Sequence, residues 1–120
     1  MENKKENIVQ EKSFAFALQI IKLSKFLMNK KKEFVISKQV LRSDTAVGAL
    51  IREAEHAQSK ADFIHKMNIA LKEANETDYW IELLYQSNEI DINAYHSIQP
   101  DIQELIKLLV SIVKKSKERQ

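Results

Sequence analysis

Gly48 and Pro100 are the only glycine and the only proline in 120 residues. These two residue types are the main interrupters of helices and the usual makers of tight turns, so a chain this poor in both is restricted to long helices joined by few connections. Charged residues make up 30% of the chain and hydrophobic ones 44%, which gives each helix a solvent face and a core face. The predicted fold class is all-α, with residues 1–120 forming one domain of sufficient length for a single core.

Apolar periodicity resolves four helices. From Ile8 to about Asn29, one face carries Phe14, Leu18, Ile21 and Met28, and the opposite face carries Val9, Phe16, Ile20, Leu23 and Leu27. The stretch "NKKKEF" breaks this pattern, and Ser37 is the predicted N-cap of a second helix with Val40, Val47, Ile51 and Ala54 on one stripe, ending near Gln58. "SKAD" has capping-box form, with Ser59 as N-cap and Asp62 three residues on. It opens a third helix with core residues Phe63, Met67, Ala70, Ala74, Ile81 and Tyr85. Beyond "QSNEID", Tyr95, Ile98, Ile102, Leu105, Leu109 and Ile112 step by three and four, which predicts one helix crossing Pro100, kinked or restarted there. Helices of ~20 to 27 residues are ~30 to 40 Å long. The short connections then require an antiparallel, up-down-up-down four-helix bundle.

The apolar surface exceeds what one bundle can bury. On the third helix Ile69, Glu73, Glu76, Trp80 and Leu83 form a line well away from the core stripe, and the first helix is apolar on two sides. Burying a tryptophan removes ~200 Å² from water, worth up to ~5 kcal/mol. This surplus points to a homo-oligomer. On the second helix Gly48, Ala49 and Arg52 face away from the core, and a mid-helix glycine, which costs about 1 kcal/mol against alanine, suits close approach of another chain. The predicted interface residues are Phe16, Ile20, Gly48, Ala49, Arg52, Ile69, Glu73, Glu76, Trp80 and Leu83.

No catalytic or metal-binding constellation emerges. Glu53/His56 and Asp62/His65 have the Glu-x-x-His type of spacing found in di-iron bundles, but such ligands must project into the core together with two further glutamates. Glu53 and His56 point away from the core stripe, and Asp62 serves as a capping residue. Glu73 and Glu76 read as ion-pairing groups on an outer face. The three histidines are scattered, and there is no glycine-rich phosphate loop. No enzyme activity, cofactor or metal is predicted. The absence of cysteine excludes disulfides and fits a reducing cytoplasm. Apolar runs such as "LIKLLVSIV" fall well short of the ~20 residues of a membrane span. "MENKKENIVQEK" lacks the apolar region of a signal peptide, so the chain is expected to start at Met1.

The net charge of +2 is unevenly distributed. Residues 1–42 carry +6, residues 73–104 carry −8 with no basic residue, and residues 105–120 carry +4. Antiparallel helices bring Lys4 and Lys5 to the same end as Lys114, Lys115, Lys117 and Arg119, with Lys60 and Lys66 at that end too. Repeated around a ring, this cluster would attract RNA or DNA through phosphate electrostatics. The alternative is an adaptor whose acidic third and fourth helices, including Glu82, Glu89 and Asp91, dock a basic protein partner.

The segment Arg42–Trp80 resembles the small bacterial family encoded in intervening sequences of 23S ribosomal RNA genes, whose members read much like "RSxTSIGANIxEAxxAxSxxDFIxKxxIAxKEAxETxYWL". Arg42, Ser43, Thr45, Gly48, Ala49, Ile51, Glu53, Ala54, Ala57, Ser59, Asp62, Phe63, Ile64, Lys66, Ile69, Ala70, Lys72, Glu73, Ala74, Glu76, Thr77, Tyr79 and Trp80 carry the likeness. Ala46, Val47 and Leu50 depart from it, and "EKSFAFALQIIKL" extends it to the first helix. The resemblance implies a four-helix bundle that forms homopentameric rings. It also implies a non-catalytic, nucleic-acid-linked role, since a related branch comprises the accessory proteins of diversity-generating retroelements, which associate with nucleic acid and a reverse transcriptase.

Overall fold

A computed structural model of the chain describes residues 4–119. Met1, the expected start, and the outermost residues of the predicted 1–120 domain lie outside that range. Four helices follow one another: α1 (Lys4–Asn29), α2 (Ile36–Glu55), α3 (Lys60–Gln86) and α4 (Ile92–Glu118). No strand occurs among the described residues.

Contacts between helices fix their directions. Lys5 reaches Ser111, Lys12 reaches Glu104 and Gln19 reaches Asp101, so α1 and α4 run antiparallel. Ser24 bonds the Ser37 carbonyl between α1 and α2. Arg42 and Ser43 of α2 meet Glu76 and Thr77 of α3, and Asp78 and Glu82 of α3 meet Gln103 and Tyr95 of α4. Each helix packs on two neighbours, and the cycle closes between α1 and α4.

The core takes only one of the two apolar faces of α1. Val9, Phe16, Ile20, Leu23 and Leu27 are buried with Val40, Val47, Ile51, Met67, Ile81, Ile102, Leu105 and Leu109, while Phe14, Leu18 and Ile21 remain exposed. On α3 the buried stripe is Ile64, Met67, Ala70, Ala74, Thr77, Ile81 and Leu84; Phe63 and Tyr85 flank it, half-buried. α4 is one helix through Pro100, whose ring lies on the exposed side. There the missing N–H and the ring face water rather than a packed neighbour.

The helix ends show how far local signals reach. Ser59 caps α3 as predicted, accepting the Asp62 amide at 3.0 Å, and the Asp62 carboxylate reciprocates by accepting the Gln58 amide at 3.2 Å. The Gln58 amide, and after it the Lys66 ammonium, hold the Asp62 carboxyl below its usual range. At the other end of α3, Asn88 adopts a positive φ of 65°. Its amide bonds the Tyr85 carbonyl and the next amide, of Glu89, bonds Leu84, the arrangement that stops helices at glycine or asparagine.

Ser37 is not the cap of α2. The helix starts at Ile36, and its first amides are taken by Glu33, whose carboxylate accepts from Val35, Ile36 and Ser37 at 3.1, 3.0 and 2.7 Å. Ser37 instead donates its hydroxyl to the Glu33 carbonyl at 2.8 Å and is buried. Lys32, with a φ of 55°, turns the chain so that Glu33 lies under the start of the helix. An ionised carboxylate on three amides also complements the positive helix end. Glu33→Ala is expected to lower stability by about 1 to 2 kcal/mol, seen as a drop of several degrees in thermal midpoint. A larger drop for Ser37→Ala than for Glu33→Ala would restore Ser37 as the cap.

Candidate functional site

Two surfaces carry the predicted site residues: a basic end and an apolar face. At the basic end, the termini of α1 and α4 meet the start of α3. Lys5 Nζ donates to Ser111 Oγ at 2.6 Å, and the Lys115 ammonium beside it holds the Lys5 amine below the usual lysine range. Lys60 Nζ donates to the Arg119 carbonyl at 3.2 Å, which ties the start of α3 to the end of α4. Lys4, Lys114, Lys115, Lys117 and Arg119 are exposed. Lys66 differs from these, being half-buried and paired with Asp62 at 3.3 Å. The structure brings Lys5 beside Lys115 and Lys60 to the Arg119 main chain, whereas Lys66 is paired with Asp62.

The acidic segment contrasts with this end because most of its carboxylates are engaged inside the chain. Glu73 and Glu76 hold Arg42, Glu76 also accepts the Trp80 indole N–H at 2.9 Å, and Glu104 pairs with Lys12 at 3.2 Å. Asp78 and Asp101 accept from Gln103 and Gln19, and Asp91 caps α4 by accepting the Ala94 amide at 2.9 Å. Glu82 accepts the Tyr95 hydroxyl at 2.8 Å, a bond that pushes the Tyr95 phenol up to about 12. Tyr95 in turn stacks on Tyr85 with ring centroids 4.3 Å apart.

The interface prediction needs correction on α1. Phe16 is 1% exposed and Ile20 0%, so both belong to the chain's own core and cannot meet another copy. The face left outside is the opposite one, with Phe14 at 57%, Leu18 at 50% and Ile21 at 36% exposure. The predicted line on α3 is stitched to α2 in part: Glu73 and Glu76 are taken by Arg42, and Trp80 packs against the core. Ile69 and Leu83 are half-buried.

Gly48, Ala49 and Arg52 do lie on the α1–α2 surface. With Gln10, Phe14 and Ala17 they line a groove of about 330 Å³. Arg52 holds its guanidinium 5.9 Å from the centre of the Phe14 ring, a cation–π arrangement. A Cβ built on Gly48 would meet nothing within 4 Å, so no contact inside the chain calls for glycine there. A larger groove of about 690 Å³, bordered by Lys22, Phe26, Lys31, Asp91 and Ile98, lies between α1 and the start of α4.

Sequence reasoning missed Asp44. Its carboxyl is buried at 1% exposure, and Oδ2 has no hydrogen-bond partner. The signal was available: Val40, Asp44, Val47 and Ile51 follow the spacing of the α2 core stripe, so the periodic pattern passes through an acidic residue. Among the described residues no group of three His, Cys, Asp or Glu side chains could hold a metal ion. Among the described residues no helix is long and apolar enough to cross a membrane.

Residues 5–111 match the family model described as 23S rRNA-intervening sequence protein. The chain belongs to that family. The match spans both the capped α2–α3 segment and most of the terminal helices. Among solved structures, the chain is similar to a protein with unknown function from the S23 ribosomal protein family of Bacteroides thetaiotaomicron VPI-5482, whose crystal structure is at 1.70 Å resolution. The two are 60% identical with a TM-score of 0.90, over 92% of this chain and 98% of that one. No curated protein matches the chain.

A family member with glycine on an open helix surface invites a simple substitution. At dilutions where the chain is a single copy, Gly48→Ala is expected to raise stability by about 1 kcal/mol, because alanine has the higher helix propensity and the added methyl meets no atom. Urea unfolding measures it; a loss of stability under those conditions would show a contact at Gly48 within the chain.

Proposed function

We propose that this family member is a non-catalytic homo-oligomer that associates with RNA or DNA through phosphate electrostatics. The observation that carries the reading is the basic end, where Lys5 and Lys115 stand close enough for one charge to depress the other's protonation, with Lys60 and Arg119 tied alongside. Cations gathered at one end attract a polyanion, which releases its own counterions as it binds.

Self-association multiplies that effect. The support for it is the exposed Phe14, Leu18 and Ile21 face beside the Gly48 groove, since contiguous apolar surface of this kind marks an interaction site. Five copies is the number implied by the resemblance to ring-forming members of the family. With five copies the cationic ends would form one belt, each contributing phosphate contacts that carry little base preference. The adaptor reading, in which Glu82, Glu89 and Asp91 dock a basic protein, has weaker support: Glu82 and Asp91 already accept hydrogen bonds within the chain.

Replacing Lys114, Lys115 and Lys117 together by Gln tests the nucleic-acid reading. Fluorescence anisotropy with a short RNA and a duplex DNA, at about 50 and 200 mM salt, should show wild-type affinity falling by orders of magnitude with salt. The variant should bind at least tenfold more weakly at the lower salt, with a shallower salt slope. Equal affinity and slope in the two proteins would remove the lysine end from the account, and absence of wild-type binding would turn the search to protein partners.

A further inference from the structure

We propose that Asp44 makes the packing of α2 in the bundle proton-sensitive: the bundle is held firmly while this carboxyl is neutral and is loosened when it ionises. The argument rests on the position of the group. Asp44 lies on the buried stripe of α2 between Val40 and Val47, both fully buried. It is 1% exposed, and its Oδ2 lacks any hydrogen-bond donor. An ionised carboxylate with an oxygen removed from water and given no donor is disfavoured, and the usual response of such a group is to keep its proton.

The surroundings supply no charge that would reverse this. α2 packs on α1 and α3. The charged residues of α1 at this level are Lys12, paired with Glu104 of α4, Lys22, which borders the groove toward α4, and Lys25, which is exposed. Those of α3 are Glu73 and Glu76, held by Arg42, and the exposed Lys72. On α2 itself, Arg42 is turned to α3 and Arg52 to the Phe14 ring. The buried hydroxyls nearby are spent on main-chain acceptors or on one another: Ser13 on Gln10, Ser24 on Ser37, Ser37 on Glu33, and Ser43 on Thr77. Burial is the sole cause acting on the Asp44 carboxyl, and it pushes the group up to about 7.

The direction of the pH effect follows. In the unfolded chain Asp44 titrates near the usual value of about 3.9, so between that pH and neutrality the folded chain binds the extra proton. Stability therefore falls as pH rises through this window and levels off above about 7. This is opposite to the behaviour of a carboxylate engaged like Asp62, whose contribution is lost as pH falls.

The test compares wild type with Asp44→Val, which removes the ionisable group at similar volume, and with Asp44→Asn. Urea unfolding is followed at pH 5.5 and pH 8 at one fixed protein concentration. Every other ionisable group is common to all three proteins, so the ratio of unfolding constants isolates Asp44. The wild-type constant is expected to rise relative to Asp44→Val by roughly tenfold or more between the two pH values, and Asp44→Asn should follow Asp44→Val. A ratio constant within about twofold would overturn the proposal. Should neither variant fold, the ¹³C shift of the wild-type Asp44 carboxyl decides alone: a midpoint near neutrality supports the proposal and one near 4 overturns it.

Discussion

The apolar stripe Val9, Phe16, Ile20, Leu23 and Leu27 is the contact on which the rest of this molecule depends. By turning that side of α1 inward, it sets α1 against α2 and α4 together and closes the cycle of four helices. The choice has two consequences at the surface. Phe14, Leu18 and Ile21 are left outside, next to the stretch of α2 that contains the only glycine. Its antiparallel run along α4 also brings Lys5 to Ser111 and Lys115. An apolar face and a cationic end thus arise from one packing decision.

The two charge-rich parts of the chain are used differently. Acidic residues of α3 and α4 mostly bind within the molecule, joining α3 to α2 through Arg42 and α4 to α1 through Lys12 and Gln19. Exposed ion pairs of this kind contribute little to stability individually, but they leave few carboxylates facing outward unengaged. At the termini Lys4, Lys114, Lys115, Lys117 and Arg119 are exposed. That asymmetry, rather than the small net charge of +2, favours an anionic partner.

Much of the fold was legible from spacing and capping. Four helices, the cap at Ser59 and a fourth helix running past Pro100 follow from local patterns and short connections, although α4 does not restart at the proline. The inward face of α1 was harder because both of its stripes are apolar. The distinguishing signal was the kind of interruption: the buried stripe from Val9 to Leu27 admits only the small Ser13 and Ser24, while the outer one meets the charged Lys25 between Ile21 and Met28. The cap of α2 was missed because Glu33 acts through a turn at Lys32, whose positive φ no common sequence rule assigns to lysine. Asp44 was missed because an acid on a core stripe is read as a solvent-facing residue unless its register is checked against Val40, Val47 and Ile51. Among the described residues, its Oδ2 is the one buried side-chain atom where core packing and polar satisfaction disagree.

The functional reading depends most on whether the α1–α2 face meets other copies of the chain. Light scattering on the eluting protein, at several loading concentrations, measures this without reference to any ligand. The account predicts a mass about five times that of the 14.0 kDa chain. A mass equal to the single chain at every concentration would contradict it, leaving Phe14, Leu18 and Ile21 as ordinary exposed residues and the basic end as one isolated cluster.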